Sequence, residues 1–178
     1  MTRSYGRVMI LFSMAGFLSG ILYTNIVSRY YVATLGIFNE YFLNQYIQTD
    51  IISVSYLWYL IKVRVTPLLG LLLLGAARIR KPAAVIFLIW TGFLCGMIFT
   101  SATLNMGVKG IILCFAAMLP QMVFYIIGYA ILLIGFYYYP KTGWNFQKTI
   151  AVILAICIGI ALEYYMNPIL VKLFLKTV

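Results

Sequence analysis

The chain has 178 residues, of which 65% are hydrophobic and 9% charged, with a mean hydropathy of +1.03. Soluble domains carry about a quarter charged residues, and no soluble core of this size hides so much apolar surface, so the composition excludes an ordinary water-soluble enzyme and requires lipid contact. Thirteen Lys and Arg against three acids give a formal net charge of +10. These cations stand singly or in small groups at the ends of apolar runs, a distribution that sets membrane topology and argues against nucleic-acid binding.

The first element is "VMILFSMAGFLSGILYTNIVS" over 8–28, behind the short basic "MTRSYGR". It exceeds the about 7–15 residues of a signal-peptide core and has no A-x-A-like cleavage site, so it is expected to remain as the first span. Gly16 and Gly20 form a G-x-x-x-G pair, which lets another helix approach closely. Residues 29–51 mix polar and apolar groups and hold two of the three acids, Glu40 and Asp50. The helical spacing of Leu35, Phe38, Phe42 and Tyr46 predicts a short interfacial helix, with Tyr30, Tyr31, Tyr41 and Tyr46 at headgroup level.

The stretch 53–81 allows two readings, because 65–77 offers only thirteen uncharged residues, too few to cross alone. In one, 54–77 spans with Lys62 and Arg64 inside the bundle. In the other, 54–64 is a second interfacial helix leading into a short span. A tilted span with an interfacial first half is preferred, and it ends at "RIRKP". Residues 82–104 form the third span, carrying a second small-residue pair, Gly92 and Gly96. Asn105 and Gly107 then make a tight turn. The fourth span, 110–139, holds Pro120 near its centre, and a kink or break is expected there because proline removes a backbone donor. The loop "PKTGWNFQK" leads to the fifth span, 149–171.

The resulting fold class is all-α: a single integral membrane domain of about five transmembrane helices with one or two interfacial helices. An odd number of spans puts the termini on opposite faces. With the N-terminus cytoplasmic, the inner segments hold seven cations, including Arg78, Arg80 and Lys81, against Arg29, Lys109, Lys172 and Lys176 outside. That asymmetry favours N-in and C-out.

Catalytic chemistry has little to work with. The absence of histidine removes Ser-His and Cys-His nucleophile systems, the usual imidazole metal ligand and H-E-x-x-H sites. The one Asp cannot form an intramembrane aspartate dyad, and Glu40 with Asp50 on a small loop is a poor glycan-cleaving pair. Cys95, Cys114 and Cys157 lie in apolar runs and read as small hydrophobes. No enzyme activity and no cofactor are expected. The polar groups left near or within the membrane are Glu163, Gln121 beside Pro120, Asn105, Asn167, Lys62 and Arg64. An intramembrane ionisable residue is a functional candidate by default. Glu163, placed about two turns from the outer end of its span, reads either as wet or paired to a base for assembly, or as an ion or proton carrier. Pro168 reads as a kink or the start of the helix exit.

Two segments, "GMIFTSATLNMGVKGIILCFAAMLPQMVFYIIGYAIL" and "IALEYYMNPILVKLF", together resemble the stage II sporulation protein M family. The shared order is a Gly-rich span, an N-x-G-type turn, a helix broken at Leu-Pro, and a last span ending in Glu, an aromatic pair and Pro. Residues 86–174 carry most of the similarity, and "SGILYTNIVS" resembles the opening helix of the family. The resemblance implies a mother-cell membrane protein of endospore engulfment, without hydrolase activity, that anchors the peptidoglycan-degrading stage II sporulation proteins D and P. The outer segment 29–52 departs most from the pattern. A different class, a transporter or permease subunit, is suggested by the Pro-broken helix with Gln121 and by Glu163.

Overall fold

In a computed structural model, residues 2–26, 40–49, 53–76, 79–141 and 143–177 are described. Every regular element among them is an α-helix: α1 (Thr2–Ile26), α2 (Glu40–Gln48), α3 (Val54–Ala76), α4 (Arg80–Met106), α5 (Val108–Met118), α6 (Gln121–Tyr137) and α7 (Phe146–Thr177). In lipid each backbone N–H and C=O must be satisfied within its own segment, and helices accomplish that locally. Four of them, α1, α3, α4 and α7, are long and apolar enough to cross a membrane, and the broken pair α5–α6 makes five if counted as one span. Large apolar side chains stand exposed along them, among them Leu11, Leu18, Leu22, Leu73, Trp90, Ile126 and Ile153. These helices are compatible with a multi-pass membrane protein.

The chain packs as two compact units, each discontinuous in sequence. The first comprises Met1–Thr49, Val85–Ala117 and Leu170–Val178. Its centre is the contact between α1 and α4, where four glycines put backbone against backbone. A Cβ on Gly16 would lie 2.2 Å from the Ile89 carbonyl oxygen, and one on Gly20 2.2 Å from that of Phe93. Reciprocally, Gly92 abuts the Ser13 carbonyl at 2.2 Å and Gly96 that of Phe17 at 2.3 Å. The two G-x-x-x-G pairs therefore meet each other. Contacts advance in the same direction along both helices, so α1 and α4 run parallel. Phe17, Phe99 and Phe115 stack edge to face beside this seam. Gly107 (φ 62°) turns the chain between α4 and α5, and Gly110 lets α5 close against the Ala102 carbonyl. Lys172 Nζ donates to the Thr49 carbonyl at 2.6 Å, tying the end of α7 to the residue after α2.

The second unit comprises Asp50–Ala84 and Met118–Ile169, and is built on α3, α6 and most of α7. Gly128 faces Ala155 and Ile156, while Gly159 faces Tyr125, so α6 and α7 are antiparallel. Gly75 lies under the Phe136 ring, and Tyr129 approaches the Arg64 carbonyl, so α3 runs parallel to α6.

The helices keep most of the expected bounds. The stretch 54–76 is one continuous helix through Pro67, close to the expected 54–77. The break expected at Pro120 is present: 110–139 divides into two helices separated at Leu119 and Pro120. The last helix continues past Pro168 to Thr177, so Pro168 is internal to α7 and does not begin its exit. Proline deletes one backbone donor, and the apolar surroundings still favour keeping the other carbonyls helical. Glu163 is consequently a mid-helix residue, about 25 Å from the start of α7 and about 21 Å from its end at 1.5 Å per residue. Within the stretch expected to hold a short interfacial helix, a helix runs from Glu40 to Gln48; Leu35, Phe38, Tyr30, Tyr31 and Asp50 lie outside the described residues.

Candidate functional site: an intrahelical-bundle ion pair

The most polar feature buried in the second unit joins its three long helices. Arg64 sits halfway along α3, and its guanidinium forks onto the Glu163 carboxylate of α7: Nε donates to Oε2 at 2.8 Å and Nη2 donates to Oε1. From α6, the Tyr125 hydroxyl donates to the same Oε2 at 2.6 Å. Tyr125 also presents its ring to Arg64, with Cζ 4.9 Å from the ring centroid, a cation–π contact. One carboxylate thus receives a bidentate cation and a phenol, filling three of its roughly four acceptor positions.

Local sequence explains why these groups meet. Glu163 is four residues after Gly159, so the two share a face of α7. A Cβ at Gly159 would fall 2.6 Å from Tyr125 Cε1, and its absence is what admits the ring beside the carboxylate. Lys62, two residues from Arg64, is exposed and takes no part in the pair. Arginine suits the position because its planar fork matches a carboxylate in two places, which an ammonium cannot do. Glu163 is almost sealed, its side chain 6% exposed, whereas Arg64 retains 38%.

Adjacent positions continue the polar face. Gln121, the first residue of α6, is buried one turn before Tyr125. Asn167 stands one turn after Glu163, and its Oδ1 is buried with no hydrogen-bond partner among the described residues. Given the antiparallel register of α6 and α7, Gln121 and Asn167 fall in the next layer beyond the ion pair. Pro120 is the N-cap of α6. The remaining sequence candidates belong to the first unit. Asn105 donates through Nδ2 to the Ser101 carbonyl at 2.8 Å, and Gly16, Gly20, Gly92 and Gly96 form the α1–α4 seam.

The sequence candidates did not include Arg64 or Tyr125 as partners of Glu163. A signal for Arg64 was present: it and Lys62 are the cations within an apolar run, and the third acid needs a counter-charge there. Tyr125 is one of fifteen tyrosines and gave no such signal. Chemically, the arrangement holds three helices together. To act as a proton or cation carrier, Glu163 would first have to release the guanidinium, at the cost of the bidentate contact to the half-buried Arg64. Among the described residues no group of three or more His, Cys, Asp or Glu could hold a metal ion.

The fold class is thus an all-α helical bundle with four or five membrane-compatible helices. No protein-family model, curated protein or solved structure matches the chain.

Proposed function

We propose that this protein is a non-enzymatic, multi-pass scaffold of the cell membrane, which anchors and localises peptidoglycan hydrolases during endospore engulfment. The observation that carries the scaffold reading is the internal neutralisation of Glu163. The one acid within the spans is consumed by Arg64 and Tyr125, leaving no reactive carboxylate for chemistry or transport. The hydrolase and sporulation part rests on the resemblance of 86–174 to the stage II sporulation protein M family, whose partners are the stage II sporulation proteins D and P.

The proposed topology is N-terminus cytoplasmic and C-terminus outside. The cation asymmetry supports the orientation, and a parity condition supports the placement of the termini on opposite faces. Parallel, closely seated α1 and α4 enter the membrane from the same face, so the chain must cross back once between them. Of the described helices between them, α3 alone is long enough, a 22-residue stretch of mean hydropathy 1.7. This supports α3 as a full span, in which Arg64, its eleventh residue, would lie near the bilayer midplane. A charge there requires a partner, and Glu163 supplies it.

Isolation of the tagged full-length chain from membranes in mild detergent tests the proposal. Wall-degrading activity should elute with it. An eluate without such activity, from cells that engulf normally when the gene is deleted, sinks the hydrolase-anchor reading. A second reading, a permease subunit, is favoured by the helix break at Leu119 and Pro120 with buried Gln121 beside it, since discontinuous helices often form substrate sites. Proton flux in vesicles containing the protein, abolished by Glu163→Gln, would favour that reading over the scaffold.

A further inference from the structure

The end of the second unit opposite to Tyr56 and Tyr164 holds a cleft of about 310 Å³, lined by Lys81, Tyr137, Tyr138, Tyr139, Pro140 and Lys141. Its size is at the lower end of small-ligand pockets. Arg80 stiffens one wall: Nε donates to the Gly75 carbonyl at 2.6 Å, while Cζ lies 3.9 Å from the centroid of the Tyr139 ring. The Tyr137 and Tyr138 rings meet edge to face at 4.8 Å. A fixed aromatic corner therefore faces two lysine side chains.

Among the described residues, the charges in this corner form no ion pair with an acid. The sequence has no acid between Asp50 and Glu163, and Glu163 is already held by Arg64. No acid stands in the first turn of α4, yet that helix opens with Arg80 and Lys81. Arg80 is turned to the Gly75 carbonyl at the end of α3, and the positive end of the α4 dipole favours an anion beside the exposed Lys81. Lysine ammonium, tyrosine hydroxyl and a helix N-terminus are all donors to phosphate oxygen.

We infer that this cleft is a binding site for a phosphate group, supplied by the headgroup of an anionic phospholipid of the leaflet that α3 and α4 share at their 76–81 connection. The site goes beyond the scaffold role and rests only on the membrane reading of these helices. It would fix the depth and rotation of the second unit in the bilayer, and make its stability depend on lipid charge.

The test uses the full-length protein in mixed micelles, with phosphatidylglycerol, phosphatidylcholine or inorganic phosphate added. Retained phosphatidylglycerol is counted by native mass spectrometry. Lys81→Gln/Lys141→Gln is compared with the charge-matched Lys109→Gln/Lys176→Gln, each lowering the formal charge of +10 by two. The cleft variant should lose phosphatidylglycerol affinity on the order of ten- to thirtyfold, as two cations near a charged surface predict, while the matched control keeps it. Inorganic phosphate that competes at similar concentration would retain the phosphate site but assign it to a soluble source. Equal losses in both variants, or no loss in the cleft variant, would overturn the site. Flotation of all variants with vesicles separates that result from failure of the membrane reading.

Discussion

Gly92→Ala is the smallest change that should disable the first unit. The added Cβ would stand 2.2 Å from the Ser13 carbonyl oxygen, whereas real Cβ atoms essentially never come within 3.0 Å of such an atom. Because the obstacle is backbone, no rotamer change relieves it, and α1 must move away from α4 by about 1 Å at this point. That displacement loosens the Gly16, Gly20 and Gly96 contacts together, since all four lie on one rigid seam. Overpacking costs about 1–3 kcal/mol, and the lost backbone approach puts the expectation at about 3 kcal/mol, or roughly 6–12 °C in Tm for a chain of this size. Gly70→Ala is the control. Nothing lies within 4 Å of its Cβ position, and it sits within α3, so helix propensity predicts a gain of up to about 1 kcal/mol. Thermal and denaturant unfolding of the purified protein in mixed micelles reads both. Equal effects of the two alanines would refute the parallel α1–α4 seam.

The ion pair gives a coupled prediction. Glu163→Gln leaves Arg64 buried on one side and unpaired, which for a sealed pair costs about 3–5 kcal/mol; the 38% exposure of Arg64 reduces this to about 2–3. Arg64→Gln/Glu163→Gln should recover at least half of that loss in the same unfolding assay, and simple additivity would contradict a paired arrangement. Gly159→Ala should displace the Tyr125 ring and cost about 2–4 kcal/mol, more than Tyr125→Phe, which removes one hydrogen bond to a charged group. Cysteines placed at Gly6 and Lys141 should be protected from an impermeant thiol reagent applied outside intact cells, and those at Lys109 and Lys176 labelled; matching reactivity at Gly6 and Lys109 would break the parity that makes α3 a span.

Much of this architecture was legible in the sequence because a bilayer imposes a simple rule. Runs of about twenty apolar residues must be helical, so 8–28, 82–104 and 149–171 announce themselves, and Pro120 marks the break that separates α5 from α6. Lys62 and Arg64 interrupt the 54–77 run and leave two readings of its first half open, because the partner that makes Arg64 tolerable there lies 99 residues away. The helix exit was misplaced for a related reason. Tyr164, Tyr165 and Pro168 have the composition of an interface, yet the apolar Ile169, Leu170 and Val171 carry the helix on to Thr177. Each G-x-x-x-G pair was visible by itself. That the two pairs satisfy each other is a fact of tertiary register, which periodicity along one helix does not encode.

The central claim is that Glu163 serves assembly and not ion chemistry, and exchanging the two charges tests it most directly. Arg64→Glu and Glu163→Arg are each expected to prevent recovery of folded protein from membranes, because each buries two like charges. The double exchange Arg64→Glu/Glu163→Arg keeps one cation and one carboxylate in the same layer, while moving the carboxylate from α7 to α3. That double variant should regain stability in mixed micelles, together with the wall-degrading activity proposed to elute with the parent chain. A double exchange that is as stable as the parent, yet inactive where the parent is active, would contradict the claim and show that a carboxylate on α7 itself does the work.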